Sequence, residues 1–314
     1  MYIEEALKVK NDWWRYFVGV IMVFIGWQVI GVIPLIGVAY AKSGGLENFM
    51  EAAKTSFMEL DINSNLFLVL IIFSFAMGLV GLLFAARFLN EQKITSLTTT
   101  RSTIDWSRIR FSFFLVVGIN TILFLIGYFT EPEILTWNFK LVPFILLFLI
   151  AIFLLPLQTS FEEYLFRGYL MQGLGVLAKN RWVPLILTSV TFGLLHGLNP
   201  EVEKLGNIMM VFYIGTGFLL GIMTLMDDGM ELALGFHAAN NILAAILVTT
   251  DWSAFQTDAL FIDTSEPSAG LDIILPIAIQ YPIILFILAK KYKWSGWKDK
   301  LFGKIEPELQ QLEE

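Results

Sequence analysis

The sequence predicts an all-α, polytopic integral membrane protein with about eight transmembrane helices. Of the 314 residues, 56% are hydrophobic and 16% are charged, whereas soluble domains have roughly 45–50% apolar and about 25% charged residues. Mean hydropathy is +0.69, so the lipid bilayer is the expected environment. The net charge of −7 argues against a nucleic-acid partner, and the absence of cysteine excludes thiolate catalysis and cysteine-bound metals.

Eight apolar runs have roughly the length, about 17–25 residues, that a helix needs to cross the hydrocarbon core. They cover residues 16–40, 66–86, 111–129, 141–157, 182–197, 207–226, 232–250 and 271–289. The segment before the first run carries acidic residues and has no small-residue cleavage site. We therefore expect an uncleaved first span rather than a signal peptide.

The chain is predicted to divide into three parts. Residues 1–100 hold two N-terminal spans with their loops, residues 101–290 hold the functional core, and residues 291–314 form a charged cytoplasmic tail. The predicted non-membrane segments are too short for a separate enzyme domain. Any chemistry is therefore expected inside the membrane bundle, among the later spans.

The distribution of Lys and Arg predicts the orientation of the chain in the membrane. With the N-terminus placed in the cytoplasm, the inside segments hold 17 of the 21 Lys and Arg residues and the outside loops hold 4. Because cytoplasmic loops retain positive charge, both termini are predicted to be cytoplasmic. The acidic residues Asp227, Asp228 and Glu231 fall at a predicted cytoplasmic end, where we expect a solvated turn.

Polar groups within the predicted spans are the candidate functional groups, because an ionisable side chain in hydrocarbon costs about 2.5–3.5 kcal/mol on insertion scales. They occur in three apolar stretches: Glu162, Glu163 and Arg167 in SFEEYLFRGYL, His196 in TFGLLHG, and His237, Asn240 and Asn241 in GFHAANN. The chain has only two histidines. Both lie in these stretches.

Helical spacing assigns different roles to the two adjacent glutamates. Glu163 precedes Arg167 by four residues, which is the favourable order for an intrahelical ion pair. Glu162 lies about 100° further around the helix and stays free for another role. One carboxylate is therefore predicted to be structural and the other chemical.

The depth of these residues limits how they can meet. Glu162 and His196 are about equally far from the predicted turn between the fourth and fifth spans, and would meet across a helical hairpin. His237 is nearer to its own turn. His237 can reach the level of Glu162 and His196 only under one of two conditions. Either the end of the helical hairpin at residues 168–181 projects into the cytoplasm, or the helix is broken at one of its three glycines, 168, 173 or 175.

The histidine stretches also show helical register. Phe192 lies one turn before His196, and His237 lies one turn before Asn241, so each pair is expected to share a helix face. Taken singly, a membrane histidine or asparagine often makes only a helix–helix hydrogen bond, and the glutamates could mark the polar end of a span. The occurrence of all these groups together favours a functional site.

These residues form three motifs that follow one another on separate predicted helices: Glu162-Glu163-x-x-x-Arg167, Phe192-x-x-x-His196 and His237-x-x-x-Asn241. The combination resembles the CPBP family of intramembrane proteases, which comprises type II CAAX prenyl endopeptidases and related Abi-like, bacteriocin-processing enzymes. The resemblance covers roughly residues 100–250. It implies an endopeptidase that acts on a membrane-anchored peptide or protein, prenylated CAAX-like substrates included.

The resemblance also implies roles for the residues. By analogy, Glu162 and His196 position and deprotonate a water molecule, while His237 and Asn241 polarise the scissile carbonyl and stabilise the oxyanion. The remaining motif residues and one neighbour have supporting roles: Glu163, Arg167, Phe192 and Asn240.

The residues leave two mechanisms open. In the first, Glu162, His196 and His237 bind zinc as a two-histidine, one-carboxylate set with water in the fourth position. In the second, no metal is needed and Glu162 is the base, assisted by His196. The sequence has no local His-Glu-x-x-His pair, and it does not choose between the two.

Two other functions use the same residues. A proton-coupled transporter could use the acid and the histidines as a proton relay, although such proteins often show inverted repeats and no repeat is seen here. A catalytically inactive membrane scaffold or immunity protein could keep the fold without the chemistry. The sequence leaves the oligomeric state open.

Overall fold

The computed structural model describes residues 1–254 and 256–305, apart from the side chains at 271 and 272. The last nine residues of the predicted charged tail, 306–314, lie outside the described part. Most of the described chain is helical and it contains little sheet, which confirms the predicted all-α class.

Sixteen α-helices lie in the described part of the chain: α1 Trp13–Phe24, α2 Ile33–Ser43, α3 Leu46–Lys54, α4 Ser64–Phe88, α5 Ile94–Thr98, α6 Trp106–Thr130, α7 Leu141–Phe153, α8 Leu155–Glu163, α9 Met171–Ala178, α10 Trp182–Leu195, α11 Pro200–Leu205, α12 Ile208–Asp227, α13 Glu231–Leu247, α14 Leu271–Leu275, α15 Tyr281–Tyr292 and α16 Trp297–Phe302. Wider π-helical turns join several of them: Ile25–Ile30, Tyr164–Leu170 and Pro276–Gln280. Short 3-10 turns occupy Ile3–Lys8, Pro132–Ile134 and His196–Leu198.

Six of the eight predicted spans are long and apolar enough to cross a bilayer: Trp13–Ser43, Ser64–Phe88, Trp106–Thr130, Leu141–Ala178, Ile208–Asp227 and Ile273–Tyr292. The other two, Trp182–Leu198 and Glu231–Leu247, are shorter apolar helices. They are the segments that carry the two histidines. The polytopic architecture is therefore confirmed, while six helices rather than eight meet the length of a full span.

The fourth span is one long helical segment, Leu141–Ala178, of 38 residues. It is not broken at Gly173 or Gly175, which lie within α9. Instead the backbone widens into a π-helical turn over Tyr164–Leu170, directly after the two glutamates. Such turns interrupt the regular ladder of hydrogen bonds and often accompany functional sites.

Two helix pairs form the centre of the bundle. Helix α13 packs along α6 and against the end of α8, and α10 packs along α12. The second pair is close because Gly217 of α12 lies against Ser189 of α10, where an added Cβ would come within 2.5 Å of the Ser189 carbonyl oxygen. The short histidine-bearing helices are thus held by two longer neighbours, α6 and α12.

A three-stranded sheet was not predicted. It consists of β1 Leu135–Trp137, β2 Val248–Thr249 and β3 Phe261–Asp263 in the order β1-β3-β2, with β1 antiparallel and β2 parallel to β3. The strands lie in the loops before α7 and after α13. They connect the ends of these helices on the side predicted to be outside.

The predicted solvated turn between α12 and α13 is instead buried and charge-paired. Arg101 donates to Asp227 Oδ2 at 3.1 Å and to Glu231 Oε2 at 3.2 Å, and Arg108 donates to Asp227 Oδ1 at 2.5 Å. Trp294 Nε1 donates to the same Oδ1 at 3.0 Å. The side chains of Asp227 and Glu231 are 2% and 0% exposed. We call these five residues the turn cluster.

The prediction was wrong for Asp227 and Glu231 because the loop before α6 folds across the turn. Thr100 N donates to the Asp228 carbonyl oxygen at 3.0 Å, and Met230 N donates to the Thr98 carbonyl oxygen at 2.9 Å. Sequence periodicity carries no information about such a distant loop. Asp228 keeps partial exposure and accepts from Lys300.

Candidate active site

The end of α8 and the π-helical turn after it position a buried ion pair. Arg167 Nη1 lies 3.2 Å from Glu163 Oε1, and both side chains are 0% exposed. Arg167 Nη2 also donates to the Gly217 carbonyl oxygen of α12 at 3.2 Å, and its guanidinium carbon lies 4.4 Å from the centre of the Phe192 ring. The predicted intrahelical pair is confirmed, and it links three helices.

His237 lies between the two glutamates. Its Nδ1 is 2.8 Å from Glu163 Oε1, and its Nε2 is 3.3 Å from Glu162 Oε2. Glu163 Oε1 also accepts from Arg167, so it is an acceptor in this contact and Nδ1 donates to it. The Nε2 contact has the distance of an ion pair without hydrogen-bond geometry, since Glu162 Oε2 has no hydrogen-bond partner.

A glutamine that the sequence analysis missed connects the acid to the asparagine. Gln158 Nε2 donates to Glu162 Oε1 at 2.7 Å, and Asn241 Nδ2 donates to Gln158 Oε1 at 3.1 Å. Gln158 lies four residues before Glu162 on the same helix face, and this spacing was the signal that could have found it. One acid oxygen is thereby fixed while the other faces His237.

Asn240 lies beside this network and connects it to the other side of the bundle. Its Nδ2 lies 3.4 Å from Asn241 Oδ1, and its Oδ1 lies 3.4 Å from Asn120 Nδ2 on α6. Gln280 Nε2 donates to Asn120 Oδ1 at 2.8 Å. The predicted supporting position is thus part of a second amide chain. We use the name membrane cluster for Gln158, Glu162, Glu163, Arg167, His237 and Asn241.

His196 occupies a separate position at the end of α10. Its Nδ1 is 2.8 Å from the Phe192 carbonyl oxygen, which can only accept, so Nδ1 is the protonated nitrogen and Nε2 carries a lone pair in the neutral ring. Its ring stacks on Tyr213 of α12, with centroids 4.5 Å apart and planes at 23°. Tyr213 was also missed, because nothing distinguishes one aromatic residue on an apolar helix.

Phe192 contacts both histidine rings. Its ring centre lies 4.7 Å from that of His196 and 5.9 Å from that of His237. Throughout residues 1–254 and 256–305, no hydrogen bond or ion pair joins His196 to Glu162. The structure therefore joins three of the four predicted catalytic residues, Glu162, His237 and Asn241, directly or through Gln158, whereas His196 contacts Phe192 and Tyr213.

The predicted zinc ligands do not form a three-donor cluster in this arrangement. In the described part of the chain, no group of three or more His, Asp or Glu side chains is placed to hold a metal ion. Glu162 Oε2 and His237 Nε2 lie 3.3 Å apart, but the third predicted ligand, His196, is not grouped with them in that described part. The zinc site therefore stays a prediction.

Comparison with known proteins identifies the family. The chain matches the family model described as type II CAAX prenyl endopeptidase Rce1-like over residues 137–243, a range that contains the whole membrane cluster and His196. It is 31% identical over 258 residues to the uncharacterized protein YyaK of Bacillus subtilis (strain 168), across 80% of this chain and 83% of that protein. No solved structure matches the chain. Together with its apolar helices, these matches show that the chain is an integral membrane protein and belongs to the Rce1-like family of type II CAAX prenyl endopeptidases.

Proposed function

We propose that this protein is an intramembrane endopeptidase that hydrolyses peptide bonds of membrane-associated substrates, prenylated CAAX-like proteins included. The observation that carries the proposal is the position of His237 between Glu162 and Glu163, inside an otherwise apolar bundle. A structural ion pair needs Glu163 and Arg167 alone. The additional acid and histidine are groups that amide hydrolysis requires.

Charge balance defines the state of the cluster before substrate binds. Two glutamates and one arginine leave one uncompensated negative charge, and an unpaired buried charge is costly. A proton on His237 makes the cluster neutral. Nδ1–H then donates to Glu163, and the protonated Nε2 lies 3.3 Å from Glu162 Oε2.

Glu162 is the proposed base. Gln158 holds its Oε1, so Oε2 is the oxygen that can take a proton from water. His196 presents a lone pair on Nε2 because its Nδ1 proton is donated to the Phe192 carbonyl oxygen. We propose that a water molecule bound between Oε2 and this nitrogen is deprotonated as it attacks the scissile carbonyl carbon.

Asn241 and His237 are the proposed donors to the oxyanion. An asparagine amide has two N–H donors, and the bond to Gln158 uses one of them. The second N–H of Asn241 and the Nε2–H of protonated His237 then stabilise the negative charge on the carbonyl oxygen. The proton that Glu162 gains passes to the leaving amine, which completes hydrolysis.

Cleavage by the reconstituted protein tests the proposal. Wild type and the variants Glu162→Gln, His237→Ala and His196→Ala are placed in liposomes with a fluorescence-quenched peptide library anchored by a lipid or prenyl chain. We expect wild type to cleave and the three variants to lose cleavage. Glu203→Gln changes an exposed acid on α11 and is the matched control that keeps full activity.

The outcomes separate the rival functions. Equal cleavage by wild type and by all three variants would contradict the proposed site. No cleavage by any protein, together with proton flux that both Glu162→Gln and His196→Ala abolish, would identify the transporter. The absence of both activities would leave the inactive scaffold.

We also propose that both termini face the cytoplasm, on the strength of the distribution of Lys and Arg. The natural absence of cysteine makes single-cysteine labelling straightforward. In intact cells a membrane-impermeant maleimide should label Lys204→Cys but should label Lys179→Cys only after permeabilisation, since both positions are exposed and lie on opposite predicted sides. The reverse pattern would overturn the orientation.

A further inference from the structure

A second polar feature lies beyond the membrane cluster, at the end of the bundle predicted to be outside. An open cavity of about 360 Å³ is lined mainly by apolar side chains of α11, α12, α13 and the segment after β2. Its lining includes Leu205, Met209, Phe212, Ala244 and Trp252. Most of this wall would suit any apolar group.

Two buried polar atoms in the lining have no hydrogen-bond partner. Glu201 Oε1 accepts a hydrogen bond from Ala254 N at 3.0 Å, whereas Glu201 Oε2 is buried and unpartnered. The hydroxyl oxygen of Thr250, on the same cavity wall, is also buried and unpartnered. A buried acceptor without a donor is costly, so these atoms point to a missing donor group.

The acidic and aromatic residues in the lining favour a cation as that donor. Glu201 is an acid fixed in place by the Ala254 amide, and a charged donor makes a stronger hydrogen bond to a carboxylate than a neutral donor does. The cavity also exposes the aromatic side chains of Phe212 and Trp252, whose faces attract ammonium and guanidinium groups. The acid and the aromatic groups favour the same chemistry.

The cavity adjoins the proposed active site. Phe212 lines the cavity, and the next residue, Tyr213, stacks on His196. On the other wall, Ala244 lies three residues beyond Asn241, a rise of about 4.5 Å along the helix. A peptide held at Asn241 and His196 would therefore extend directly into this space.

We propose that the cavity is a specificity subsite that binds a lysine or arginine side chain carried on an apolar peptide segment. The methylene groups of the basic side chain pack on the apolar wall, and its charged end donates to Glu201 Oε2 and to the Thr250 hydroxyl oxygen. The assignment of this peptide as a substrate rests on the proposed endopeptidase function. The binding of the basic side chain does not.

Photolabelling tests the subsite without requiring cleavage. The full-length protein in nanodiscs is incubated with the tripeptide amide acetyl-photoleucine-leucine-lysine, or with the same peptide carrying norleucine or glutamate in place of lysine. Adducts on Met209, Phe212 and Trp252 are measured by mass spectrometry after irradiation. We expect the lysine peptide to reach half-saturation at a concentration at least tenfold lower than either of the other two.

Point variants show whether the preference for lysine depends on the charge of Glu201 or only on an intact fold. Glu201→Gln keeps the oxygen that accepts from Ala254 and should abolish the preference for lysine. Thr250→Val should weaken the preference to a smaller extent. Glu203→Gln lies two residues away on the same short helix, is exposed, and should leave the preference unchanged.

The photolabelling experiment tests the subsite independently of the proposed endopeptidase activity. Equal labelling by the lysine and norleucine peptides, or an unchanged lysine preference in Glu201→Gln, would overturn the subsite even if the protein cleaves peptides. Selective labelling that Glu201→Gln abolishes would establish the subsite even in a protein that cleaves nothing.

Discussion

The membrane cluster and the turn cluster contain the same kinds of charged groups but balance them differently. In the turn cluster, two carboxylates face two guanidinium groups and an indole N–H. In the membrane cluster, two carboxylates share one guanidinium, and an imidazole stands between them. Each carboxylate of the turn cluster pairs with a guanidinium, although Arg108 also pairs with the partly exposed Asp105. Such fixed pairs suit a structural joint, whereas the buried charge deficit of the membrane cluster, which a titratable ring must fill, suits proton transfer.

The two clusters also differ in how far their arginines are exposed to water. The arginines of the turn cluster are 26% and 19% exposed, so water reaches them and screens their interactions. Arg167 is 0% exposed and has no such screening. Removing the guanidinium of the membrane cluster should therefore destabilise the fold more than removing one from the turn cluster, and only the membrane cluster should affect catalysis.

The largest difference is expected in catalysis. Replacing the proposed base in Glu162→Gln should lower kcat by about 10³-fold, because general base catalysis contributes about 10²–10⁴-fold. The glutamine can still accept from Gln158, so the fold should persist. In the turn cluster, Asp227→Asn should leave kcat unchanged. The measurement is cleavage of an anchored quenched peptide in liposomes.

Circular dichroism melting of both variants is the control for folding. Asp227→Asn should lower the free energy of unfolding by about 1–3 kcal/mol, the usual cost of leaving a buried partner unsatisfied, while Glu162→Gln should melt near wild type. A kcat loss in Asp227→Asn equal to that in Glu162→Gln would remove the functional distinction between the clusters.

The second-largest effect is expected on the free energy of unfolding. Arg167→Met leaves two glutamates without their only guanidinium, and breaking a buried pair costs about 3–5 kcal/mol. The double variant Glu163→Gln, Arg167→Met removes both charges and should recover most of this loss. Unfolding in mild detergent, followed by urea-dependent tryptophan fluorescence, measures the difference. A double variant less stable than Arg167→Met would contradict the pairing.

Sequence reasoning found the parts of the site that lie within one helix. The spacing of Glu163 and Arg167 predicted their ion pair, and the one-turn spacing of Phe192 and His196 predicted their contact, because helical period fixes such neighbours. Hydropathy likewise predicted all six long spans. These features depend only on local geometry.

Contacts between distant segments escaped prediction. The burial of Asp227 depends on Arg101, which is 126 residues away in sequence, and the role of Tyr213 depends on the packing of α12 against α10. The depth argument made the approach of His237 to Glu162 conditional on the end of the helix, and the structure places the two side chains 3.3 Å apart. Helix level alone does not reveal that the ring of Phe192 contacts both histidines.

A smaller effect is expected at Tyr213, which positions His196 by stacking. Tyr213→Leu keeps an apolar side chain but removes the aromatic face, and aromatic pairs contribute about 0.5–1.5 kcal/mol. Activity should fall by up to about tenfold, which corresponds to about 1.4 kcal/mol. Tyr213→Phe retains the ring and should restore most of the activity.

The pH profile distinguishes positioning from a general loss of stability. If Tyr213 orients His196, the alkaline and acid limbs of kcat/KM in Tyr213→Leu should shift relative to wild type, and the shift should disappear in Tyr213→Phe. A uniform loss at every pH with an unchanged profile would show that the ring serves packing alone.

The smallest effect is expected from chelation, and it separates the two mechanisms that the residues left open. A catalytic zinc needs three protein ligands and a water, and no group of three such ligands is placed to hold a metal ion in the described part of the chain. We therefore expect activity to be unchanged after dialysis against a strong chelator, with elemental analysis confirming the metal content before and after. Loss of activity that returns with added zinc would show that His196 moves to join the membrane cluster when metal binds. In that case the imidazole between the two glutamates is a ligand, and the charge deficit of the membrane cluster is filled by a cation other than a proton.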